Sequence, residues 1–170
     1  MKFKNQNFLK LLLLFLSIIL FLNFNKRKTL SIDGVWSIVE VKTVKADGTS
    51  SKVFPKESQA IFSKKYYSFC WTTQVSKNRN WAMTDSLKID RFNQSIVNAG
   101  TFYIKDSILT TKATFAMNPM FTNGEAKFKI SIKKDTLILK GLSVMSSENI
   151  PNPAYKNGSY FVTKLVKIKD

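Results

Sequence analysis

The amino-acid sequence predicts an all-β fold: an antiparallel up-and-down barrel with one short helix, preceded by an N-terminal hydrophobic leader helix. From residue 31 onward, short apolar runs are separated by turn residues, a pattern typical of antiparallel sandwiches and barrels. In residues 125–133, apolar and polar side chains alternate at every position. The apolar members are Ala126, Phe128, Ile130 and Ile132. Such alternation indicates a sheet with one buried and one solvated face.

The first 28 residues predict a signal peptide or a membrane anchor. They contain six basic residues and no acidic residue, and only Lys10, Ser17 and Asn23 interrupt the apolar stretch from Phe8 to Phe24. A basic start followed by a leucine-rich core is typical of a secretory signal. No small residues mark a cleavage site after the apolar stretch, and the stretch is near the minimum length of a transmembrane helix. The segment could therefore be either a cleaved signal peptide or an uncleaved membrane anchor. We expect the domain at 31–170 to be extracytoplasmic: periplasmic, secreted or anchored to a membrane by this segment.

The elements of the domain follow from apolar runs and turn signals. The predicted strands are Val35–Lys45, Gln59–Ser63, Lys65–Gln74, Thr101–Lys105, Ser107–Met117, Glu125–Lys133, Asp135–Leu142 and Gly158–Lys169. Asp47-Gly48, Asp106 and Lys134-Asp135 are the turn signals between neighbouring runs. The one predicted helix covers Thr84–Gly100, with Asp85 as its cap, Phe92 and Ile96 four residues apart, and Gly100 as its stop.

The residue inventory excludes several classes of chemistry. The chain has no histidine, which removes histidine-assisted nucleophiles and most zinc sites. Its six glycines form no phosphate-binding loop, and Cys70 is the only cysteine, so no intrachain disulfide can form. No two carboxylates in the sequence stand at a spacing that would support acid/base catalysis. We therefore expect no metal, no cofactor and no enzymatic activity.

The charge balance favours a solvated, basic surface. The whole chain has 27 basic and 11 acidic residues, and without the leader 21 basic residues remain. Such a surface attracts anionic partners, but the lysines are dispersed and also suit the exposed edges and faces of a sheet. Nucleic-acid binding is not expected, because the aromatic residues alternate with serine and threonine rather than with basic residues.

Aromatic residues on presumed inward faces are the candidate ligand contacts. Tyr67, Phe69 and Trp71 share one face of their strand, which we take as the inward face. The aromatic candidates together are Trp36, Tyr67, Phe69, Trp71, Phe102, Phe115 and Phe128. Glu40 is an eighth candidate, because it shares the strand face of Trp36 and Ile38, although strand twist could carry it to the open rim. An aromatic-lined cavity suits an apolar ligand, whereas simple core packing is the alternative for each residue.

Four stretches resemble a family of bacterial lipocalin-like proteins. They are 34–39 (Gly-Val-Trp-Ser-Ile-Val), 61–68 (Ile-Phe-Ser-Lys-Lys-Tyr-Tyr-Ser), 98–104 (Asn-Ala-Gly-Thr-Phe-Tyr-Ile) and 135–139 (Asp-Thr-Leu-Ile-Leu). The resemblance implies a calycin-type antiparallel barrel, often exported, whose first-strand tryptophan plugs the closed end. It also implies that a basic side chain from the last strand, Lys164 or Lys167, covers Trp36 by a cation–π contact. Tyr66 stands where relatives often carry histidine.

These observations predict an exported lipocalin-like protein that binds a small, mainly apolar molecule or lipid in the barrel. The alternative is an interaction protein of the cell envelope with a filled barrel, since barrels of about eight strands can be filled or hollow. A third hypothesis is a barrel isomerase or cyclase, in which Glu40 or Tyr66 would carry the chemistry. Membrane association through the leader is compatible with each of them.

Overall fold

The computed structural model describes residues 30–75 and 81–169. The predicted leader, residues 1–28, lies outside the described residues. Within the described part of the chain, no helix has the length and apolar character needed to span a membrane.

Nine strands, one α-helix and two short 3-10 helices make up the described domain. The strands are β1 (Gly34–Val44), β2 (Ser50–Val53), β3 (Glu57–Ser63), β4 (Tyr66–Thr72), β5 (Ser95–Lys105), β6 (Ile108–Ala116), β7 (Glu125–Lys133), β8 (Thr136–Met145) and β9 (Tyr160–Lys167). Helix α1 covers Asp85–Asn93, and the 3-10 helices cover Pro119–Phe121 and Pro153–Gly158.

The strands close into an antiparallel barrel with up-and-down connections. Every neighbouring pair from β3 to β9 is antiparallel, and β9 also pairs with β1, which closes the sheet. The far half of β1, Val41–Val44, pairs with β2, whereas its first residues, Gly34–Trp36, pair with β3. Strands β2 and β3 therefore share one position of an eight-stranded barrel. The predicted antiparallel up-and-down barrel with one short helix is confirmed, whereas the predicted leader helix falls outside the described residues.

Local sequence explains the hairpins and the faces of the strands. Strand β7 has the predicted bounds, and its residues alternate between the barrel interior and solvent. Lys64, Asp106 with Ser107, and Lys134 have positive φ values at the turns that follow β3, β5 and β7. Tight hairpin turns require such left-handed residues because their twist matches that of the strands.

The predicted helix is too long at its C-terminal end. Thr84, not Asp85, is the N-cap of α1, and its side chain accepts a hydrogen bond from the backbone N–H of Leu87. The helix ends at Asn93, and β5 begins at Ser95, so Ile96 and Gly100 belong to a strand. Short-range spacing suggested a helix, but pairing of β5 along β4 and β6 decides the outcome. Strand β2 was not predicted, because its four residues are all exposed and give no apolar pattern.

The side chains buried most completely include Phe62, Ile38, Leu109, Leu137 and Leu165, which come from five different strands. They lie on inward-facing positions and pack together inside the barrel. Trp36 is 2% exposed, and its indole Nε1 donates a hydrogen bond to the backbone oxygen of Ile32 at 2.9 Å. This contact fixes the chain just before β1 against the first strand.

Candidate functional site

The barrel encloses a cavity of about 370 Å³. All nine strands contribute to its lining, together with residues from both 3-10 helices. The volume lies at the lower end of the range for small-molecule pockets, and equals about a dozen waters at roughly 30 Å³ each. Val53 of β2 both lines the cavity and is 36% exposed, so the cavity is not sealed from solvent. The barrel is therefore hollow rather than filled.

One wall of the cavity is aromatic. Tyr67, Phe69 and Trp71 alternate along β4 and all line the cavity, as the strand period of two requires. Phe128 of β7 also lines it. The structure thus brings together four of the eight predicted ligand contacts around one space.

Two further candidates pack in the core without lining the cavity. Trp36 is buried, and Lys167 Nζ lies 5.6 Å from the centroid of its ring, so the cation–π cover implied by the resemblance is formed by Lys167. Lys164 lies opposite Glu40 in the pairing of β1 with β9. Phe102 meets Phe62 edge to face, with ring centroids 5.4 Å apart. Trp36 and Phe102 therefore support the barrel core rather than the cavity wall.

The prediction that Glu40 points inward with Trp36 and Ile38 is wrong. In the pairing of β1 with β9, Ile38 lies opposite Leu165 and Glu40 lies opposite Lys164, so Val39 is an extra residue on β1. This β-bulge reverses the faces beyond it, and Val41 and Thr43 line the cavity instead. Glu40 forms an ion pair with Lys52 of β2 at 2.8 Å, outside the cavity lining.

The inward placement of Phe115 is also wrong, for the same physical reason. Ala99 of β5 pairs with Phe115, but Gly100 pairs with Ala113, so Thr114 is an extra residue on β6. Ala113 still lines the cavity, whereas Phe115 turns outward and is 61% exposed. A bulge leaves no signature in the apolar pattern, so alternation alone placed this residue on the wrong face.

Tyr155 is a cavity residue that the sequence pattern did not reveal. It lies on the second 3-10 helix, lines the cavity, and meets Phe161 of β9 edge to face at 5.5 Å between ring centroids. Its hydroxyl lies 2.3 Å from the position that a Cβ would occupy on Gly141. Gly141 on β8 therefore makes room for the ring of Tyr155. A glycine inside a predicted strand was the one sequence signal that another group approaches the backbone closely at this point.

Apart from the carboxylate of Glu125, the polar side chains of the described cavity lining carry hydroxyl or amide groups. Tyr67 and Tyr155 both have a pKa raised to about 12, because burial disfavours the charged phenolate. For Tyr67, a hydrogen bond with the Thr111 side chain partly offsets this rise in pKa. Asn98 of β5 also lines the cavity, directly opposite Phe69 in the pairing of β4 with β5. It was missed because residues 84–100 were interpreted as a helix.

The groups considered for catalysis do not converge on this cavity. Tyr66 is exposed, with Lys65 Nζ 5.3 Å from its ring centroid, and neither Tyr66 nor Glu40 lines the cavity. Over residues 30–75 and 81–169, no three histidine, cysteine or acidic residues are placed to hold a metal ion. Cys70 lies in an outer groove beside α1, where its thiol donates to the backbone oxygen of Gln59.

Comparison with known proteins adds a distant structural likeness. No protein family matches the sequence, and no curated protein matches it. A solved structure described as EF1p2_mFAP2b bound to DFHBI is 14% identical, with a TM-score of 0.40. The superposition covers 81% of this chain and 94% of that chain.

Proposed function

We propose that this protein binds a small, mainly apolar molecule inside its barrel. The observation that carries the proposal is the cavity of about 370 Å³, because a barrel of this size needs no internal space for stability alone. Its aromatic wall of Tyr67, Phe69 and Trp71 supplies flat apolar surface, and a few hydroxyl and amide groups can orient a polar end. Ligand pockets commonly have this composition.

Export and membership of the lipocalin-like class are part of the same proposal. Buried Trp36 at the start of β1, covered by Lys167 of β9, supports the class. The apolar leader supports export. A reporter enzyme that is active only outside the cytoplasm, fused after Asp170, is expected to be active in cells. A fusion in which only a cytoplasmic reporter works would contradict export without affecting ligand binding.

Binding without catalysis is the form of the function that we propose. The hypothesis of a filled barrel loses its premise, since the barrel contains the cavity. The isomerase or cyclase hypothesis depended on Glu40 or Tyr66, and both lie away from the cavity lining. The described residues of the lining include a single acid, Glu125, which forms an ion pair with Lys127 at 3.0 Å.

Two substitutions of Phe69 test the proposal. The probe is N-phenyl-1-naphthylamine, an uncharged dye that brightens in apolar surroundings. We expect the wild-type protein to bind it at one site, and Phe69→Leu to weaken binding by about 1–2 kcal/mol through lost apolar contact. Phe69→Lys places an ammonium group in the cavity and is expected to abolish binding, since an unpaired buried charge is costly.

Circular dichroism of all three proteins shows whether they fold alike. If they fold alike and none binds the dye, the cavity is not a binding site for apolar molecules. If Phe69→Lys binds as well as the wild type, the aromatic wall is not the site.

A further inference from the structure

We infer that the cavity selects an uncharged amphiphile, meaning a compact apolar molecule with one hydroxyl or amide group, and discriminates against carboxylates of the same size. The inference rests on the proposed function, because it names the class of ligand that the same cavity accepts. Fatty acids, the probes usually chosen for hollow barrels, would then be poor ligands.

The first observation is the absence of a cation from the lining. The described part of the cavity wall contains neither lysine nor arginine, although the chain has 27 such residues. The lysines that alternate along β7, such as Lys127 and Lys129, lie on the solvent-facing side of the strand. A carboxylate that entered the cavity would find no positive partner, and an unpaired buried carboxylate is strongly disfavoured.

The second observation is an unpaired neutral amide. Asn98 lines the cavity opposite Phe69, and its side chain makes no hydrogen bond with any of the described residues. An amide offers both a donor and an acceptor, and it therefore matches a hydroxyl or an amide of a ligand. The hydroxyl of Thr163, on β9, offers a further neutral group from the same lining.

The ionisable groups of the described lining offer no net positive charge to an anion. Tyr67 and Tyr155 keep their protons far above neutral pH, because burial raises the pKa of each to about 12. Glu125 is the one carboxylic acid in the described lining, and Lys127 pairs with it where both side chains are nearly half exposed. The interior is thus neutral at pH 7, and the ion pair of Glu125 with Lys127 at its edge adds no net positive charge that could compensate a buried carboxylate.

The physical consequence is a pH-dependent affinity for acids alone. A free carboxylic acid with an ordinary pKa near 4.3 is protonated in roughly one molecule of 500 at pH 7. If the cavity accepts only the protonated form, the apparent affinity rises about tenfold for each unit by which pH falls between 7 and 5. The affinity for an alcohol has no such slope.

The test is displacement of N-phenyl-1-naphthylamine by three ligands with the same ten-carbon chain. These are decan-1-ol, decanoate and decylamine, whose size approaches the dozen water-sized groups that the cavity holds. At pH 7 we expect decan-1-ol to bind about 500-fold more tightly than decanoate, and also more tightly than decylamine. At pH 5 the difference between decan-1-ol and decanoate is expected to shrink to a few-fold.

Asn98→Leu tests whether the Asn98 amide forms a hydrogen bond with the polar group of the ligand. We expect it to weaken decan-1-ol binding about tenfold relative to dye binding in the same variant, the effect of one lost hydrogen bond. Tyr103→Leu is the matched control, because Tyr103 lies on the exposed face of the same strand and is expected to change neither affinity. Asn98→Lys supplies the missing cation and is expected to reverse the preference toward decanoate.

The outcomes separate the inference from the proposed function. If neither the dye nor any ten-carbon ligand binds, the proposed function fails. If the dye binds but decanoate or decylamine displaces it as well as decan-1-ol does at pH 7, the neutral-ligand inference is wrong. The same holds if the dye binds and decan-1-ol does not displace it. In both cases the proposal of apolar binding stands. If Asn98→Leu leaves decan-1-ol affinity unchanged, the assignment of Asn98 is wrong.

Discussion

Replacement of Trp36 by alanine is expected to destabilise the barrel more than any change at an exposed aromatic residue. The side chain is 2% exposed, donates to the Ile32 oxygen at 2.9 Å, and lies under Lys167. Removal of a fully buried aromatic side chain from a core costs about 3–5 kcal/mol through lost apolar burial and the cavity left behind. Trp36→Phe keeps most of the apolar contact but loses the indole donor, so we expect about 1–3 kcal/mol.

Equilibrium unfolding in urea, followed by far-ultraviolet circular dichroism, measures both losses. Trp81→Ala is the matched control, because Trp81 is fully exposed and its replacement is expected to change the free energy of unfolding by less than about 0.5 kcal/mol. A loss below about 1 kcal/mol for Trp36→Ala would refute the reasoning. It would mean that the tryptophan at the start of β1 does not anchor this barrel.

Three further outcomes follow from close approaches and buried hydroxyls. Gly100→Ala would place a Cβ 2.0 Å from the backbone oxygen of Lys112, so thermal unfolding is expected to show a loss of about 1–3 kcal/mol or more; an unchanged melting temperature would contradict this. Gly141→Ala would displace the Tyr155 ring and is expected to weaken dye binding in a fluorescence titration, whereas unchanged affinity would show that this ring does not shape the cavity. Absorbance near 295 nm is expected to show Tyr67 and Tyr155 ionising near pH 12 while the protein is folded; ionisation of both near pH 10 would contradict their burial. Because the unfolded chain loses these two protons near pH 10, their contribution to stability is complete below pH 10 and is lost as pH rises toward 12.

Strand positions could be predicted from the sequence wherever a strand has one solvent-exposed face and one buried face. Strand β7 is the clearest case, since its alternation predicted both its bounds and its inward residues. The turns at Asp106 and Lys134 were predicted from their positions between two apolar runs. Both residues have the left-handed backbone that hairpin turns require. Antiparallel pairing of strands in chain order then follows from the short connections.

The faces of individual residues could not be read through a β-bulge. Glu40 and Phe115 each follow one extra residue in a strand, Val39 and Thr114 respectively. An extra residue reverses every later position, and its location depends on pairing with a neighbouring strand. Two of the eight candidate contacts were therefore placed on the wrong face by an otherwise sound pattern.

The polar part of the cavity was not readable either. Asn98 lies in β5, but its neighbours Phe92 and Ile96 have helical spacing, and the sequence does not show that the chain leaves the helix at Asn93. Tyr155 lies on a short 3-10 helix, and its contact with Gly141 joins segments far apart in sequence. Contacts of this kind appear only when the barrel closes.

The most direct test of the central claim is dye titration of a protein whose cavity has been filled. Ala126→Phe adds a ring to a side chain that lines the cavity, and Lys129→Phe adds the same ring to the exposed face of the same strand. With both variants folded by circular dichroism, we expect Ala126→Phe to lose N-phenyl-1-naphthylamine binding at least about tenfold, the scale of a few lost apolar contacts. Lys129→Phe is expected to bind like the wild type. Equal binding by all three proteins would contradict a ligand site inside the barrel.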